Sequence, residues 1–220
     1  MDLESRALER VPRDGVVGLG TGSTAERFIR ALGARVRDGL NVRGVPTSRR
    51  TEALAIELGI PLVSLDDVEA VDVTVDGADE VDPRLNLIKG FGGALVREKI
   101  VAAASRHVLI LARREKLVPR LGARGRLPVE VVPFGAAFAA RVLGASGLAA
   151  VLRTADGAPV RTDNGNAILD LSVQAIEDPE ALEEAIRAVP GVVGTGLFLG
   201  MAHEVLVEGD GAVESLRRAP

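Results

Sequence analysis

A loop rich in glycine and hydroxyl residues follows the first apolar run of the chain. Residues 18–24 read GLGTGST, and an amphipathic stretch that predicts a helix comes directly after them. Free backbone N–H groups and the positive end of a helix dipole make such a loop a natural anion site, to which Thr21, Ser23 and Thr24 add hydroxyl donors. A P-loop would need a lysine before the Ser/Thr, and the dinucleotide fingerprint would need glycine where Ser23 stands. The pattern favours a small phosphomonoester over a nucleotide, with a tight turn and a serine helix cap as the structural alternative.

A cluster of acids ends the third predicted strand. Residues 76–82 read DGADEVD. Ligands of open α/β sheets bind outside the carboxyl ends of the strands, so Asp76 and Asp79 are well placed for chemistry. A calcium loop is disfavoured because Ala78 and Leu87 stand where oxygen ligands would be needed. The alternative is a solvated acidic turn.

A second glycine-rich loop leads into a helix at residues 89–99, which read KGFGGALVREK. Its three glycines allow close backbone approach and can direct amides at a developing oxyanion. Lys89 precedes the loop, and Glu98 lies within the helix, where by itself it would be an exposed helix residue. All three clusters fall at predicted strand-to-helix junctions, on the same edge of the sheet. Together they suit proton transfer on a phosphorylated sugar and need no metal and no organic cofactor.

The first half of the chain alternates short apolar runs with amphipathic stretches. The runs predict strands at 15–20, 41–47, 71–77 and 107–112, and the stretches predict helices at 23–37, 48–59 and 93–104. Ser23 is expected to cap the first of these helices and Ser48 the second. Continuously apolar strands that alternate with helices indicate a parallel sheet covered on both faces. The expected class is α/β, with a doubly wound, Rossmann-like parallel sheet.

The order of predicted strands and helices changes after residue 126. Strands are predicted at 127–134, 148–153, 166–173 and 191–200, with helices at 133–143 and 178–188. The order β-α-β-β-α-β is that of a ferredoxin-like α+β domain. The tail from His203 predicts one more strand and a helix. We therefore expect a catalytic domain made of 1–126 plus 201–220, and a small domain over 127–200.

The composition excludes several classes of protein. The 220 residues are 47% hydrophobic and 26% charged, which rules out a disordered chain. Aromatic residues make up 2% and the net charge is −4, so nucleic acid is not an expected partner. The absence of cysteine excludes disulfides and thiolate zinc sites. No apolar run is long enough for a membrane span, and we expect a cytoplasmic protein without a membrane partner.

The motifs GLGTGSTA, DGADE and KGFGGALVREK stand in the order and spacing of the ribose-5-phosphate isomerase A family, which the chain resembles over nearly its whole length. The resemblance implies the same two-domain α/β architecture. It makes Glu98 the general base and Lys116 a further substrate contact. The implied binding stretches are Thr21, Gly22, Ser23 and Thr24; Asp76, Gly77, Ala78 and Asp79; and Lys89, Gly90, Phe91 and Gly92. Phe91 departs from a run that is more often small or polar.

The implied reaction interconverts D-ribose 5-phosphate and D-ribulose 5-phosphate through an enediolate, a step of the pentose phosphate pathway. Lys89 and the amides of residues 90–93 are candidates for holding the oxyanion, and Asp76 or Asp79 for opening the sugar ring. The resemblance also suggests a homo-oligomer, a dimer or a tetramer. Two other interpretations stay open: a non-catalytic sugar-phosphate-sensing domain, and a coenzyme A transferase-like enzyme with a glutamate nucleophile.

Overall fold

The computed structural model describes residues 2–209 and 211–218. Contacts within the chain separate two compact units, Met1–Ala78 with Arg97–Leu117 and Gly200–Pro220, and Asp79–Val96 with Val118–Leu199. The predicted domain division at 126/127 and 200/201 stays a prediction, and the compact units differ from it in where 79–96, 118–126 and residue 200 fall.

The helices and strands follow one another in chain order. They are α1 (Leu3–Leu8), β1 (Asp14–Leu19), α2 (Ser23–Arg37), β2 (Asn41–Pro46), α3 (Arg49–Glu57), β3 (Val71–Gly77), β4 (Glu80–Val81), β5 (Leu87–Ile88), α4 (Leu95–Ala103), β6 (Ser105–Arg113), β7 (Arg126–Val131), α5 (Ala136–Ala145), β8 (Ala150–Leu152), β9 (Thr154–Ala155), β10 (Ala158–Pro159), β11 (Ala167–Ser172), α6 (Pro179–Arg187), β12 (Val192–Thr195), β13 (Leu197–Phe198), β14 (Glu204–Gly209) and β15 (Ala212–Arg217). Single 3-10 turns lie at Leu65–Asp67, Arg114–Lys116 and Pro133–Gly135.

The first unit is built on a six-stranded sheet in the order β15-β14-β6-β3-β1-β2. All neighbours are parallel except β14 and β15. The strand order reverses between β1 and β3, which makes their carboxyl ends the topological switch point, where ligands of such sheets bind. The doubly wound α/β prediction is confirmed.

Helix α2 packs its apolar face on this sheet. Phe28, Ile29 and Leu32 have at most 1% of their surface exposed, and they share a core with Val17 and Leu19 of β1. The burial of these side chains fixes the face of α2 that meets the sheet, and so places the start of the helix beside the end of β1.

Two expectations for the first unit are corrected. The predicted helix at the end of the chain is wrong, because the segment pairs with β14 as the antiparallel edge strand β15. The cap of α2 is Gly22, and Ser23 is the first residue of the helix. The cap predicted for α3 is confirmed, since the Ser48 hydroxyl accepts from the Thr51 amide.

The second unit holds a four-stranded antiparallel sheet in the order β12-β7-β11-β8, with α5 and α6 between its strands in the chain. This is the predicted β-α-β-β-α-β unit, and β7 and β11 contribute the aliphatic residues at the centre of its core. The predicted strand 191–200 is broken at Gly196, which exchanges backbone hydrogen bonds with Pro128 and Lys89 instead. Its second part, β13, joins β5 and β4 in a small sheet that the sequence did not predict.

Within the described ranges, the structure has no helix with the length and apolar character required to cross a membrane.

Candidate functional site

The loop after β1 is fitted tightly against the end of β3. A Cβ atom at Gly20 would lie 2.2 Å from Oδ1 of Asp76 and 2.6 Å from its Cα. Since backbone cannot withdraw, any side chain at position 20 would push the two strands apart. The loop and the first acidic residue therefore form one packed corner at the switch point.

The Thr21 hydroxyl belongs to a buried hydroxyl cluster. It lies 2.8 Å from the hydroxyl oxygens of both Thr47 and Ser48, at the end of β2. Thr47 in turn donates to the Leu19 carbonyl at 2.9 Å. These bonds hold the loop on the sheet, so the hydroxyl of Thr21 acts first as an anchor of the loop.

The start of α2 supplies the hydrogen-bond donors of the loop that are not used to anchor it. Gly22 caps the helix at φ +117°, a conformation that favours glycine, and no side chain caps the first turn. Ser23 is exposed and Thr24 is half-buried. A fifteen-residue helix with an uncapped first turn and two hydroxyls beside it suits an anion such as a phosphate.

Arginines near this loop are already paired with an acid. Glu26 accepts hydrogen bonds from Arg30 at 2.9 Å and from Arg50 at 2.7 Å, and these bonds lower the pKa of its carboxyl group. The positive character of the loop therefore comes chiefly from the backbone amides of the helix start.

Asp76 is buried at the carboxyl end of β3, with 2% of its surface exposed. Its Oδ1 accepts from the Thr21 amide at 3.1 Å and from the Gly77 amide at 2.7 Å. Gly77 faces Thr24, since a Cβ on Gly77 would lie 3.9 Å from the Thr24 Cβ. The structure thus brings the first predicted binding stretch together with Asp76 and Gly77 of the second.

Glu98 is buried in the first turn of α4, with 4% of its surface exposed. Val101, one helical turn further on, packs with Val16 and Val71 and would be 2.8 Å from a Cβ at Gly18. Residues three apart share a helix face, so Glu98 lies on the face that meets the sheet, nearer its carboxyl edge. Its burial contradicts the alternative of an exposed helix residue.

Lys116 closes the 3-10 turn that follows β6. Because β6 is the parallel neighbour of β3, this turn emerges at the same edge of the sheet as Asp76 and Gly77. Lys116 is half-buried.

The other predicted residues lie in the second unit. The Asp79 amide donates to the Ile88 carbonyl at 2.8 Å, and Oδ2 of Asp79 accepts from the Phe91 amide at 3.0 Å. Lys89 is 3% exposed, and its Nζ lies 5.5 Å from the centre of the Phe198 ring. Asp79 and the loop from Lys89 through Gly90 are therefore brought together.

The ring of Phe91 has its own place in the second unit. It packs against the second core, and the guanidinium carbon of Arg126 lies 4.8 Å from the ring centre. The departure from a small residue at position 91 is accommodated by its contacts with Arg126 and this core.

Over the ranges that the structure describes, no group of three or more histidine and acidic side chains is arranged to hold a metal ion.

A family model described as ribose 5-phosphate isomerase A (phosphoriboisomerase A) matches residues 43–211 of the chain. The chain belongs to the ribose-5-phosphate isomerase A family. A ribose-5-phosphate isomerase A from Roseiflexus castenholzii is 54% identical, over 95% of this chain and 91% of the relative.

Solved structures of isomerases agree with this family. That of ribose 5-phosphate isomerase A from Methanocaldococcus jannaschii superposes with a TM-score of 0.93 at 43% identity, covering 98% of this chain and 96% of the other. A D-ribose-5-phosphate isomerase in complex with phospho-erythronic acid gives 0.94 at 42% identity, with the same coverage. The resemblance inferred from the three motifs is confirmed.

One pair of charged residues, Arg153 and Asp170, was not predicted from the sequence. Arg153 and Asp170 lie in the second half of the chain, outside any motif, and Arg153 contacts the loop that begins at Gly90. An arginine after a short strand and an acid within another do not stand out locally. Their pairing becomes visible once β8 and β11 are neighbours.

Proposed function

We propose that this chain interconverts D-ribose 5-phosphate and D-ribulose 5-phosphate, moving a proton between carbon 2 and carbon 1 of the open-chain sugar through an enediolate. The observation that carries the proposal is its 54% identity, over 95% of its length, to a ribose-5-phosphate isomerase A. One related isomerase structure is a complex with phospho-erythronic acid, which is a phosphorylated sugar acid. The substrate is thus a phosphorylated sugar.

Glu98 is our proposed base. A single carboxylate can remove the proton from carbon 2 and return it to carbon 1, because both carbons present the same face in a planar enediolate. The burial of Glu98 supports this role, since a charged side chain is rarely buried on a helix unless it is used or paired.

The phosphate would be held by the loop of Thr21, Gly22, Ser23 and Thr24. This group lies at the far end of the sugar from the reacting carbons. Its binding energy orients those carbons without changing during the proton transfer.

The enediolate oxygens need donors that are already in place when charge develops. We propose Lys89 and the amides of Gly90 and Gly92 for this role, because the amides of Phe91 and Gly93 already donate to Asp79 and to the Gly90 carbonyl. Asp76 or Asp79 would move protons between the sugar oxygens: the proton that opens the furanose ring, and the one that passes from oxygen 2 to oxygen 1 as the aldose becomes the ketose. The amide donors to both carboxylates support their being fixed in orientation. Gly77, Ala78 and Lys116 would complete the substrate contacts.

The test is Glu98→Gln, which keeps size and hydrogen-bonding reach but cannot accept a proton from carbon. A positioned general base contributes about 10²–10⁴ in rate, so kcat should fall at least about 100-fold. Ketose formation from ribose 5-phosphate, followed by absorbance, measures kcat. Ribose 5-phosphate should still raise the melting temperature of the variant, because the phosphate loop is intact.

The matched control is Glu184→Gln, the same change at an exposed position of α6. It should leave kcat and the melting temperature unchanged. Turnover of Glu98→Gln at the rate of this control would remove Glu98 from the reaction.

We further propose a homo-oligomer, a dimer or a tetramer, that works in the cytoplasm without a nucleic acid, membrane or cofactor partner. The resemblance to the family supports the assembly, and the scarcity of aromatic residues and the net charge of −4 support the absence of nucleic acid. Light scattering on the purified protein measures its mass.

A further inference from the structure

Arg153 donates hydrogen bonds to the backbone of the second glycine-rich loop, the one that contains Gly90 and Phe91. Its Nη1 donates to the Gly90 carbonyl at 3.0 Å and to the Phe91 carbonyl at 3.1 Å. The side chain of Arg153 is 10% exposed, so these bonds are formed largely away from water. One nitrogen thus binds two consecutive carbonyls of the loop; the first also accepts from the Gly93 amide at 3.0 Å, and the second has the arginine as its partner.

Asp170 holds the guanidinium in this orientation. Nε of Arg153 donates to Oδ2 at 2.9 Å, and Nη2 donates to Oδ1 at 2.6 Å. Such a two-bonded pair fixes the plane of the guanidinium as well as its place. Arg126 donates to the same carboxylate at 2.8 Å, and it also stacks on Phe91.

Fixing the carbonyls also fixes the amides that follow them. A trans peptide unit is planar, so its C=O and N–H groups point in opposite directions. With the Gly90 carbonyl directed at Arg153, the Phe91 N–H points the other way, and it donates to Oδ2 of Asp79 at 3.0 Å. The Gly92 N–H is set in the same manner by the Phe91 carbonyl.

We propose that Arg153 is a positioning residue for the isomerisation, acting through the peptide planes of residues 90–92 and through Asp79. The inference rests on the proposed function, because it assigns the loop amides and Asp79 to the substrate. Asp170 is the residue that orients Arg153, and neither side chain itself meets the sugar.

The first test changes the guanidinium. Arg153→Met keeps an unbranched chain of similar length but no donor, and Arg153→Lys keeps the charge but not the fork. Small misplacements of catalytic groups can cost about 10²-fold, so we expect kcat to fall about 10- to 100-fold in Arg153→Met and less in Arg153→Lys. KM should stay within about threefold, since the phosphate loop is untouched. The kcat of Asp170→Asn should lie between those of Arg153→Met and Arg153→Lys.

The control is Arg120→Met. Arg120 forms an exposed ion pair with Glu177 at 2.8 Å in the same unit. Exposed pairs contribute little, so this variant should keep kcat and the melting temperature of the parent.

Chemical rescue separates positioning from a merely structural role. In Arg153→Ala, which vacates the space of the side chain, guanidinium ion at millimolar concentration should restore part of the kcat, whereas it should restore none of the kcat of Glu98→Gln. In the protein without ligand, the Phe91 amide should exchange its hydrogen faster in Arg153→Met than in Arg120→Met.

Either of two results would overturn the proposal. One is a kcat of Arg153→Met within twofold of that of the control. The other is an Arg153→Lys variant as slow as Arg153→Met, together with an Arg153→Ala variant whose kcat guanidinium does not raise. Failure of the proposed function looks different. The parent protein and every variant would then lack turnover. The faster hydrogen exchange of the Phe91 amide in Arg153→Met would still show that Arg153 fixes the loop.

Discussion

At the scale of single residues, one arrangement occurs twice: a carboxylate that accepts hydrogen bonds from backbone amides. Asp76 binds two amides in the first unit, and Asp79 binds one in the second. An amide donor fixes the direction of a carboxylate without supplying a full positive charge to neutralise it. Each carboxylate is therefore fixed in its orientation by the backbone of its own unit.

The hydroxyls of Ser23 and Thr24 carry the first prediction at this scale. Changing both to Ala should raise KM for ribose 5-phosphate by about 10-fold or more and lower kcat much less, because each lost hydrogen bond to a charged group is worth about 1.5–3 kcal/mol. A remote phosphate is held alike in the ground and transition states. Steady-state kinetics of the double variant measure both constants.

Ser146→Ala is the control, since this hydroxyl is exposed at the end of α5. A fall in kcat at constant KM in the double variant would place the two hydroxyls in the chemistry instead of the binding. Thr21 is left out of the double variant because its hydroxyl anchors the loop to Thr47 and Ser48.

At the scale of elements, the amino-terminal ends of β6 and β14 form a charged cluster on the edge of the sheet opposite the site. Burial opposes ionisation of Glu204, but hydrogen bonds from Arg10 and Ser215 and the charges of Arg10 and Arg217 lower its pKa from 4.5 to about 2. Burial, and then the charge of His203, lowers the pKa of His107 below 6.5. The lowered pKa of Glu204 favours its ionised carboxylate, and the lowered pKa of His107 favours its neutral imidazole; these are the forms of the two groups at neutral pH.

The pH dependence of unfolding follows from these two shifts. The unfolded chain takes up a proton at His107 below pH 6.5 and at Glu204 below pH 4.5 more readily than the folded chain does. Stability should therefore be full above pH 6.5, decline below it, and decline further between pH 4.5 and about pH 2. Thermal unfolding followed across this range by circular dichroism measures the decline.

Glu204→Gln is the variant that isolates the carboxylate. It should weaken the bond from Arg10, which is 2.7 Å long in the parent, and lower the free energy of unfolding at pH 7 by about 1–3 kcal/mol. The decline between pH 4.5 and about pH 2 should become shallower. An unchanged pH profile in the variant would assign the acid sensitivity to other groups.

The elements that the sequence predicts best are those with long, uniform patterns. β3 is predicted at 71–77 and is found there, since its apolar residues are buried in the sheet. The two-residue strands β4 and β5 are too short to show a period. The sequence of β15 predicts a helix because Val213 and Leu216 have helical spacing, yet pairing with β14 decides its state.

For the site, sequence identifies the loops but not the environment of each side chain. The carboxyl-edge rule places Asp76 correctly, because it depends on strand direction alone. The burial of Glu98 depends on which face of α4 meets the sheet, and a nine-residue helix with charges on both sides of Glu98 gives no clear face. The Arg153–Asp170 pair depends on strand pairing across residues distant in sequence.

At the scale of the whole molecule, the first unit is assembled from three separate stretches of chain. Its strand β14 pairs with β6, so Glu204 lies beside Leu109 in the finished sheet. Most of the second unit is the continuous stretch Val118–Leu199. Contacts between distant segments form slowly, because closing a long loop costs entropy before the contacts repay it.

We therefore expect the sheet of the second unit to form before β14 joins the first. In pulsed hydrogen exchange during refolding, amides of β7 and β11 should be protected earlier than those of β14. The midstrand amides of β1 and β2 serve as the internal comparison, since these strands are close in sequence. Protection of β14 before β7 would reverse the proposed order.

The fit of Gly20 against Asp76 has a consequence for how such chains diverge. The obstacle to a side chain at position 20 includes the Cα of residue 76, which every substitution there retains. A descendant that had lost Glu98 would still be obliged to keep glycine at position 20 for as long as β1 and β3 remained neighbours. Gly20 therefore reports the packing of these two strands and not the chemistry, and a chain that carries it without a buried acid in α4 is a relative by its fold alone.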